Sequence, residues 1–152
     1  MSAGKPPLWA CPRCGRQFAN RNQVHECTTM TLAEHLAGKT PLAVELFRAF
    51  EARVRACGPV RLHPVKTRVG FITRMSFAGA SLFQRWIEVG LILPYRSDDP
   101  RFHKVQTFGA RSHGHWLRVR TLEELDEQLD GWLHDAYRVG LQEAADQSST
   151  RR

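Results

Sequence analysis

The chain has no hydrophobic run that approaches the length of a membrane span. A helix needs roughly 20 consecutive apolar residues to cross a bilayer, and the 152-residue sequence contains no such run. The opening MSAGKPPLW also lacks the apolar stretch of an export signal. We therefore expect a soluble cytoplasmic protein that has no membrane partner.

Nucleotide-binding and hydrolase motifs are missing as well. The sequence has no P-loop, no glycine-rich dinucleotide turn, no nucleophile elbow and no pair of His-x-Thr/Ser motifs, which a two-histidine phosphodiesterase needs. His113 and His115 remain as candidates for catalysis, because residues two apart on a strand share a face. No carboxylate or third ligand stands at a matching position, however, and Gly114 favours a loop. The sequence thus favours a binding module over an enzyme.

Cysteine is scarce, and its distribution is informative. Three of the four cysteines fall within seventeen residues together with a histidine, at Cys11, Cys14, His25 and Cys27. Three thiolates and one imidazole form a closed tetrahedral set of the kind that binds structural zinc. Because a segment this polar has almost no other means of folding, the spacing predicts a structural Zn²⁺ bound by these four residues.

Other interpretations of the cysteines fit the sequence less well than zinc. A redox Cys-x-x-Cys pair would open a helix in a βαβ unit, and a disulfide conflicts with a reducing compartment. Cys57 lies in a helical pattern without nearby ligands, and His35, which could replace His25, falls in the next helical stretch. Phe18 follows the first pair as in a Cys2His2 finger, but His25 and Cys27 are only two residues apart. A knuckle is therefore expected rather than a DNA-reading finger.

From residue 31 onward, periodicity and capping patterns predict an α+β domain. Thr31 and Glu34 form a capping box for a short helix that ends at Gly38, and a second helix runs from Thr40 to residue 58. A third helix is expected to start directly from a second capping box at residues 121–124. Between them the period changes to that of strands, at residues 60–64, 68–72, 77–83, 85–93, 104–108 and 115–119, with a loop over residues 109–114.

This order of elements predicts an antiparallel sheet of about five or six strands, covered on one face by the N- and C-terminal helices and preceded by the zinc knuckle. We expect a zinc-binding segment over residues 1–30, the α+β domain over residues 31–140 and a flexible tail over residues 141–152.

Charge is divided unevenly along the chain, whose net charge is +7. Residues 52–120 hold thirteen Lys and Arg against three acids, whereas residues 121–147 hold eight acids against one Arg. The basic region could attract phosphates on the sheet face left free by the helices, or it could find its counter-charges in the acidic last helix. The candidate ligand-binding residues are Lys66, Arg68, Arg74, Arg85, Arg111 and Arg118.

Several segments carry a resemblance to known proteins. Residues 11–18, CPRCGRQF, and residues 22–27, NQVHEC, resemble the N-terminal zinc segment of small uncharacterised bacterial proteins. Residues 57–72, CGPVRLHPVKTRVGFI, and residues 123–137, EELDEQLDGWLHDAY, resemble the domain-of-unknown-function family numbered 5655. The resemblance implies an α/β domain and a zinc site, and it supplies no activity.

Three hypotheses of function follow. The first is a zinc-containing binding or adaptor module whose basic sheet region engages nucleic acid or another polyanion. The second is a small hydrolase or transferase that acts on a phosphorylated metabolite, using His113 or His115 with an arginine clamp. The third is a protein-interaction module whose zinc segment and first helix dock onto a partner.

Overall fold

The computed structural model describes residues 5–23, 25, 27 and 30–143. The predicted flexible tail therefore lies outside the described residues from residue 144 onward. No helix among the described residues is long and apolar enough to cross a membrane.

The two N-terminal helices of the domain begin at the predicted caps. In α1 (Leu32–Leu36), the Thr31 hydroxyl accepts the Glu34 N–H at 3.1 Å and the Glu34 carboxylate accepts the Thr31 N–H at 2.9 Å, so the capping box is confirmed. In α2 (Pro41–Cys57), the Thr40 hydroxyl accepts the Ala43 N–H at 3.2 Å. These caps satisfy N–H groups that have no partner inside the helix.

Six antiparallel strands form the main sheet, as predicted. They are β3 (Arg61–Pro64), β4 (Val69–Ile72), β5 (Ser76–Leu82), β6 (Ile87–Leu93), β7 (Lys104–Gly109) and β8 (Ser112–Val119). Their order in the sheet is β3-β4-β5-β6-β8-β7. Two short strands, β1 (Trp9–Ala10) and β2 (Gln17–Phe18), pair separately in the N-terminal segment.

The loop predicted over residues 109–114 is wrong in its second half. β8 begins at Ser112, and Gly114 pairs with Ile92 of β6 and Gln106 of β7. Gly114 is suited to this strand because a Cβ there would lie 2.6 Å from the Trp116 ring. The glycine makes room for a neighbouring indole instead of breaking the strand.

The start predicted for the last helix is also wrong. Residues Leu122–Glu124 form a separate 3-10 turn, and α3 (Glu127–Gly140) begins after Asp126, whose carboxylate accepts the Leu129 N–H at 3.1 Å. The chain departs from helical geometry at Leu125 (φ −87°, ψ 82°). Asp126 is therefore the N-cap, and the 3-10 turn precedes it as a separate element.

Helices α2 and α3 cover one face of the sheet, and the core lies between. Phe47 and Phe50 of α2 contact the Phe71 ring of β4, at centroid distances of 6.1 and 5.5 Å. Because side chains alternate along a strand, the residues between the core positions lie on the opposite side, which we call the helix-free face. Its members on the central and β7-side strands include Gly79, Glu88, Gly90, Lys104, Trp116 and Arg118.

Candidate metal centre and basic face

The four predicted metal ligands lie together in the N-terminal knuckle. One ligand atom from each of Cys11, Cys14, His25 and Cys27 lies within 4.8 Å of the other three. The Cys11 and Cys27 sulfurs are 3.6 Å apart, and His25 Nε2 lies 3.4 Å from Cys14 Sγ and 3.2 Å from Cys27 Sγ. With Zn–S near 2.3 Å and Zn–N near 2.0 Å, the edges of a tetrahedral site would be roughly 3.5–3.8 Å. The donor set and its spacing thus fit a tetrahedral metal ion.

Local backbone structure shapes this site. Gly15 adopts a left-handed conformation (φ 78°), and its N–H bonds to the Cys11 carbonyl at 2.8 Å, which closes the turn between the first two ligands. The His25 Nδ1 atom lies 2.7 Å from the Gln23 carbonyl oxygen. Donation by Nδ1 to that carbonyl leaves Nε2, the atom that faces the sulfurs, free to bind a metal.

The environment favours deprotonation of two of the thiols. A hydrogen bond from the Cys14 backbone lowers the pKa of Cys11. Burial acts to raise the pKa of Cys14, but hydrogen bonds from the Arg16 backbone and from the Cys11 and Cys27 thiols outweigh it, so that this pKa is also lowered. The pKa of Cys27 is raised, by its hydrogen bond with Cys11 and by burial. Metal binding needs thiolates, so the lowered pKa values of Cys11 and Cys14 favour it, whereas the raised pKa of Cys27 opposes it.

The knuckle docks on the β3–β4 end of the sheet. The Phe18 ring, 2% exposed, packs against the His25 ring at a centroid distance of 4.3 Å and against the buried His63 ring of β3 at 6.1 Å. The Arg61 guanidinium donates to the Gln17 carbonyl at 2.8 Å. A cleft of about 240 Å³ separates the two parts, lined by Gly15, Arg16, Gln17, Arg61, Leu62, His63 and Ile72. The knuckle is thus attached to the domain and shares an interface with it.

The basic candidates divide between two opposite edges of the sheet. Lys66 and Arg68 lie in the β3–β4 turn, and Arg85 lies in the β5–β6 turn. Both turns are at the edge of the sheet formed by the strand ends where β8 finishes, and Arg118 is close to that edge. We call this the Arg85 edge. Arg74 and Arg111 lie in turns at the opposite edge, where Arg74 donates to the Gln142 side chain and to a backbone carbonyl, each at 2.8 Å. The six candidates therefore do not converge on one pocket.

Acidic groups neutralise a different set of cations. Arg53 bonds to Asp130 of α3 at 2.7 Å, and Arg101 bonds to Asp126 at 3.0 Å. Two more arginines of α2 share the buried Glu51. Within the part of the chain that the structure describes, none of the six candidate cations forms an ion pair. The acidic helix thus accounts for some of the basic region, but not for these six residues.

The structure does not favour catalysis by His113 and His115. Both are buried on the helix side of the sheet, 8% and 0% exposed. His115 Nε2 accepts the Ser97 N–H at 2.9 Å, while its Nδ1 lies 2.9 Å from the His113 carbonyl. His113 Nδ1 lies 2.9 Å from Thr107 Oγ1, and its Nε2 lies 3.1 Å from the Ala110 carbonyl oxygen. All four nitrogens are thus engaged in internal hydrogen bonds that hold the surrounding loops.

Sequence reasoning missed contacts that form only when strands pair. The register of β6 with β8 brings Trp86 beside Arg118 and Arg120, whose guanidinium carbons lie 5.6 and 5.4 Å from its ring centre. The Lys104 ammonium lies 4.7 Å from the Trp116 ring centre. A weak signal was present, since Trp116, Arg118 and Arg120 occupy alternate positions at the end of β8 and just beyond it.

The fold and the site together define a small α+β domain with a Cys3His knuckle docked at one end of its sheet. Residues 32–140 match a family described as a domain of unknown function, DUF5655. Because the match spans more than half of the chain, the protein belongs to this family, which confirms the resemblance of the domain; the match does not extend to the Cys/His segment at residues 11–27. No curated protein matches the chain, and no solved structure matches it.

Proposed function

We propose that this protein is a cytoplasmic, zinc-containing binding module whose basic sheet region binds nucleic acid or a comparable polyanion. One observation carries the proposal: the cations of the Arg85 edge and of β8 have no acidic partner among the described residues, although the helix-side arginines do. Unpaired cations clustered at one edge leave a positive potential that attracts phosphates.

Zinc is the metal we propose for the knuckle. Its support is the donor set, since three thiolates and an imidazole in a closed tetrahedral arrangement are typical of structural zinc sites. The ion would hold the knuckle against His63 and thereby fix one border of the sheet face. Metal analysis of protein purified without chelator should find about one equivalent of zinc, and a content below about 0.2 equivalents would exclude the site.

Titration with short oligonucleotides tests the polyanion proposal. Binding should weaken steeply between two salt concentrations, because each neutralised phosphate releases counterions. Arg85→Gln removes one charge from the Arg85 edge and should lower the slope of log K against log salt by about one. Arg111→Gln, an equally exposed turn arginine at the opposite edge, is the matched control and should leave the slope unchanged. Absence of salt-sensitive binding in the micromolar range would refute the proposal.

A further inference from the structure

An aromatic–cation cluster lies where the helix-free face meets the Arg85 edge. Trp86 stacks against Phe83 with ring centres 5.3 Å apart and an angle of 27° between the ring planes. Phe83 is 44% exposed and stacks on a second aromatic ring, so the two side chains form one apolar patch. With the Arg118 and Arg120 guanidiniums beside the same indole, apolar ring surface and positive charge occupy one patch, which we call the Trp86 cluster.

A second cluster lies further along β8 on the same face. The Trp116 indole extends over Gly90 and Gly114, where a Cβ would come within 2.9 and 2.6 Å of it. Lys104 lies above its ring, and Phe108, which is 56% exposed, borders Gly114. The two glycines leave room for the indole, so this Trp116 cluster places a second aromatic ring next to a cation.

The register fixes the spacing of the two clusters. Ile87, the residue after Trp86, pairs with Val119 of β8. Continuing this register by one residue places Trp86 level with Arg120, four residues from Trp116, which corresponds to about 13 Å. Glu88 lies between the clusters, and its carboxylate bonds to His103 at 2.7 Å. Although Glu88 lies opposite Arg118 in the strand register, its carboxylate bonds to His103 and forms no ion pair with Arg118, whose guanidinium lies beside Trp86 instead.

We infer that the helix-free face binds single-stranded nucleic acid, with unpaired bases stacked on the two clusters and phosphates held by Arg118, Arg120 and Lys104. This inference rests on the proposed function and specifies its ligand. Aromatic side chains on a flat sheet can reach a base only when its face is free, as in an unpaired strand. Duplex readers commonly insert a helix into the major groove, but three arginines of α2 are bonded to acids instead.

A competition experiment tests this inference on the full chain. A fluorescein-labelled 12-residue deoxythymidine strand is titrated with protein, and unlabelled single-stranded DNA, single-stranded RNA and hairpin duplex compete at equal phosphate concentration. The single strands should compete at least tenfold better than the duplex. Binding should also quench tryptophan fluorescence, since bases stack on two of the four tryptophans.

Two variants separate stacking from charge. Trp86→Leu should weaken single-strand binding about 5- to 150-fold, the range that loss of one stacked base implies. Arg118→Gln with Arg120→Gln should lower the salt slope by about two. The control Leu42→Ala removes an exposed apolar side chain from α2, and the control Arg48→Gln removes a cation from the same helix. Neither should change binding by more than about twofold.

The outcomes distinguish this inference from the proposed function. If wild-type protein binds neither single strands nor duplex, the proposed function fails and this inference fails with it. If duplex competes as well as single strands, or if wild-type fluorescence is unchanged at saturation, only the single-strand inference is overturned. The fluorescence result decides this even if Trp86→Leu does not fold, and thermal melting shows whether it does.

Discussion

Loss of a metal ligand should disorder the knuckle and weaken the domain without unfolding it. Cys14→Ser removes one of the four donors, and the knuckle has few other means of holding its shape. The core of the domain is formed by separate residues from α2, α3 and the sheet. We therefore expect residues 1–30 to lose order while the α+β domain survives at a lower melting temperature.

The magnitude follows from the interface between the knuckle and the sheet. Disorder would break the bond from the Ala19 N–H to the Arg74 carbonyl, at 2.9 Å, and the bond from Arg61 to Gln17, at 2.8 Å. Each is worth about 0.5–1.5 kcal/mol net. Ile72, now 3% exposed, lines the cleft and would gain contact with water at a cost of about 1 kcal/mol. The total is about 2–4 kcal/mol, which corresponds to a fall of roughly 8–16 °C.

Thermal unfolding followed by circular dichroism, with and without chelator, measures this fall. Limited proteolysis should cleave the variant within residues 1–30 and leave a stable fragment that begins near residue 31. Cys57→Ser, which changes a cysteine outside the site, is the control and should leave the knuckle protected. The reasoning is refuted if Cys14→Ser unfolds the whole chain, since the two parts would then share one core. It is equally refuted if the melting temperature does not move.

Two further predictions concern the domain itself. Burial lowers the pKa of His35 and of His115, so the native state binds fewer protons than the unfolded chain. The free energy of unfolding should therefore fall as the pH drops below about 6.5, by up to about 1.4 kcal/mol per pH unit for each histidine. An unchanged midpoint of urea unfolding between pH 7.5 and 5.5 would contradict this. Gly114→Ala should destabilise by about 1–3 kcal/mol and alter the emission of Trp116, because the new methyl group overlaps the indole. Gly109→Ala is its control, since nothing lies within 4 Å of a Cβ there. Equal midpoints of urea unfolding for the two variants would count against the packing argument.

Local patterns were enough to predict the knuckle and the caps of the first two helices. The four ligands and the Thr31 capping box depend on spacing within a short segment, which a sequence displays directly. The helix boundary at Asp126 was missed because two capping signals follow each other, and only the backbone shows which one starts the helix. The loop predicted at Gly114 failed because a glycine signals a turn unless a distant side chain needs its space.

The aromatic–cation clusters could not be predicted in the same way. Arg118 and Arg120 lie more than thirty residues from Trp86 in the chain, and only the pairing of β6 with β8 brings them together. Charge counts show that the region is basic, but they do not distinguish Arg53, which forms an ion pair with Asp130, from Arg118, whose guanidinium lies beside an indole ring. The strand register determines which side chains become neighbours, and composition gives no information about register.

The knuckle and the clusters divide the helix-free face between them. At the β3–β4 end the knuckle lies over the buried His63, and the buried Ile72 lines the cleft beside it. At the other end, β6, β8 and β7 carry Trp86 and Trp116 with neither helix nor knuckle above them among the described residues. When helices pack on only one side of a sheet, apolar residues on the other side are either covered by another segment or serve to bind a partner. The knuckle covers one half of this face, and the other half places cations beside its aromatic rings, so the second half is the one suited to a charged ligand.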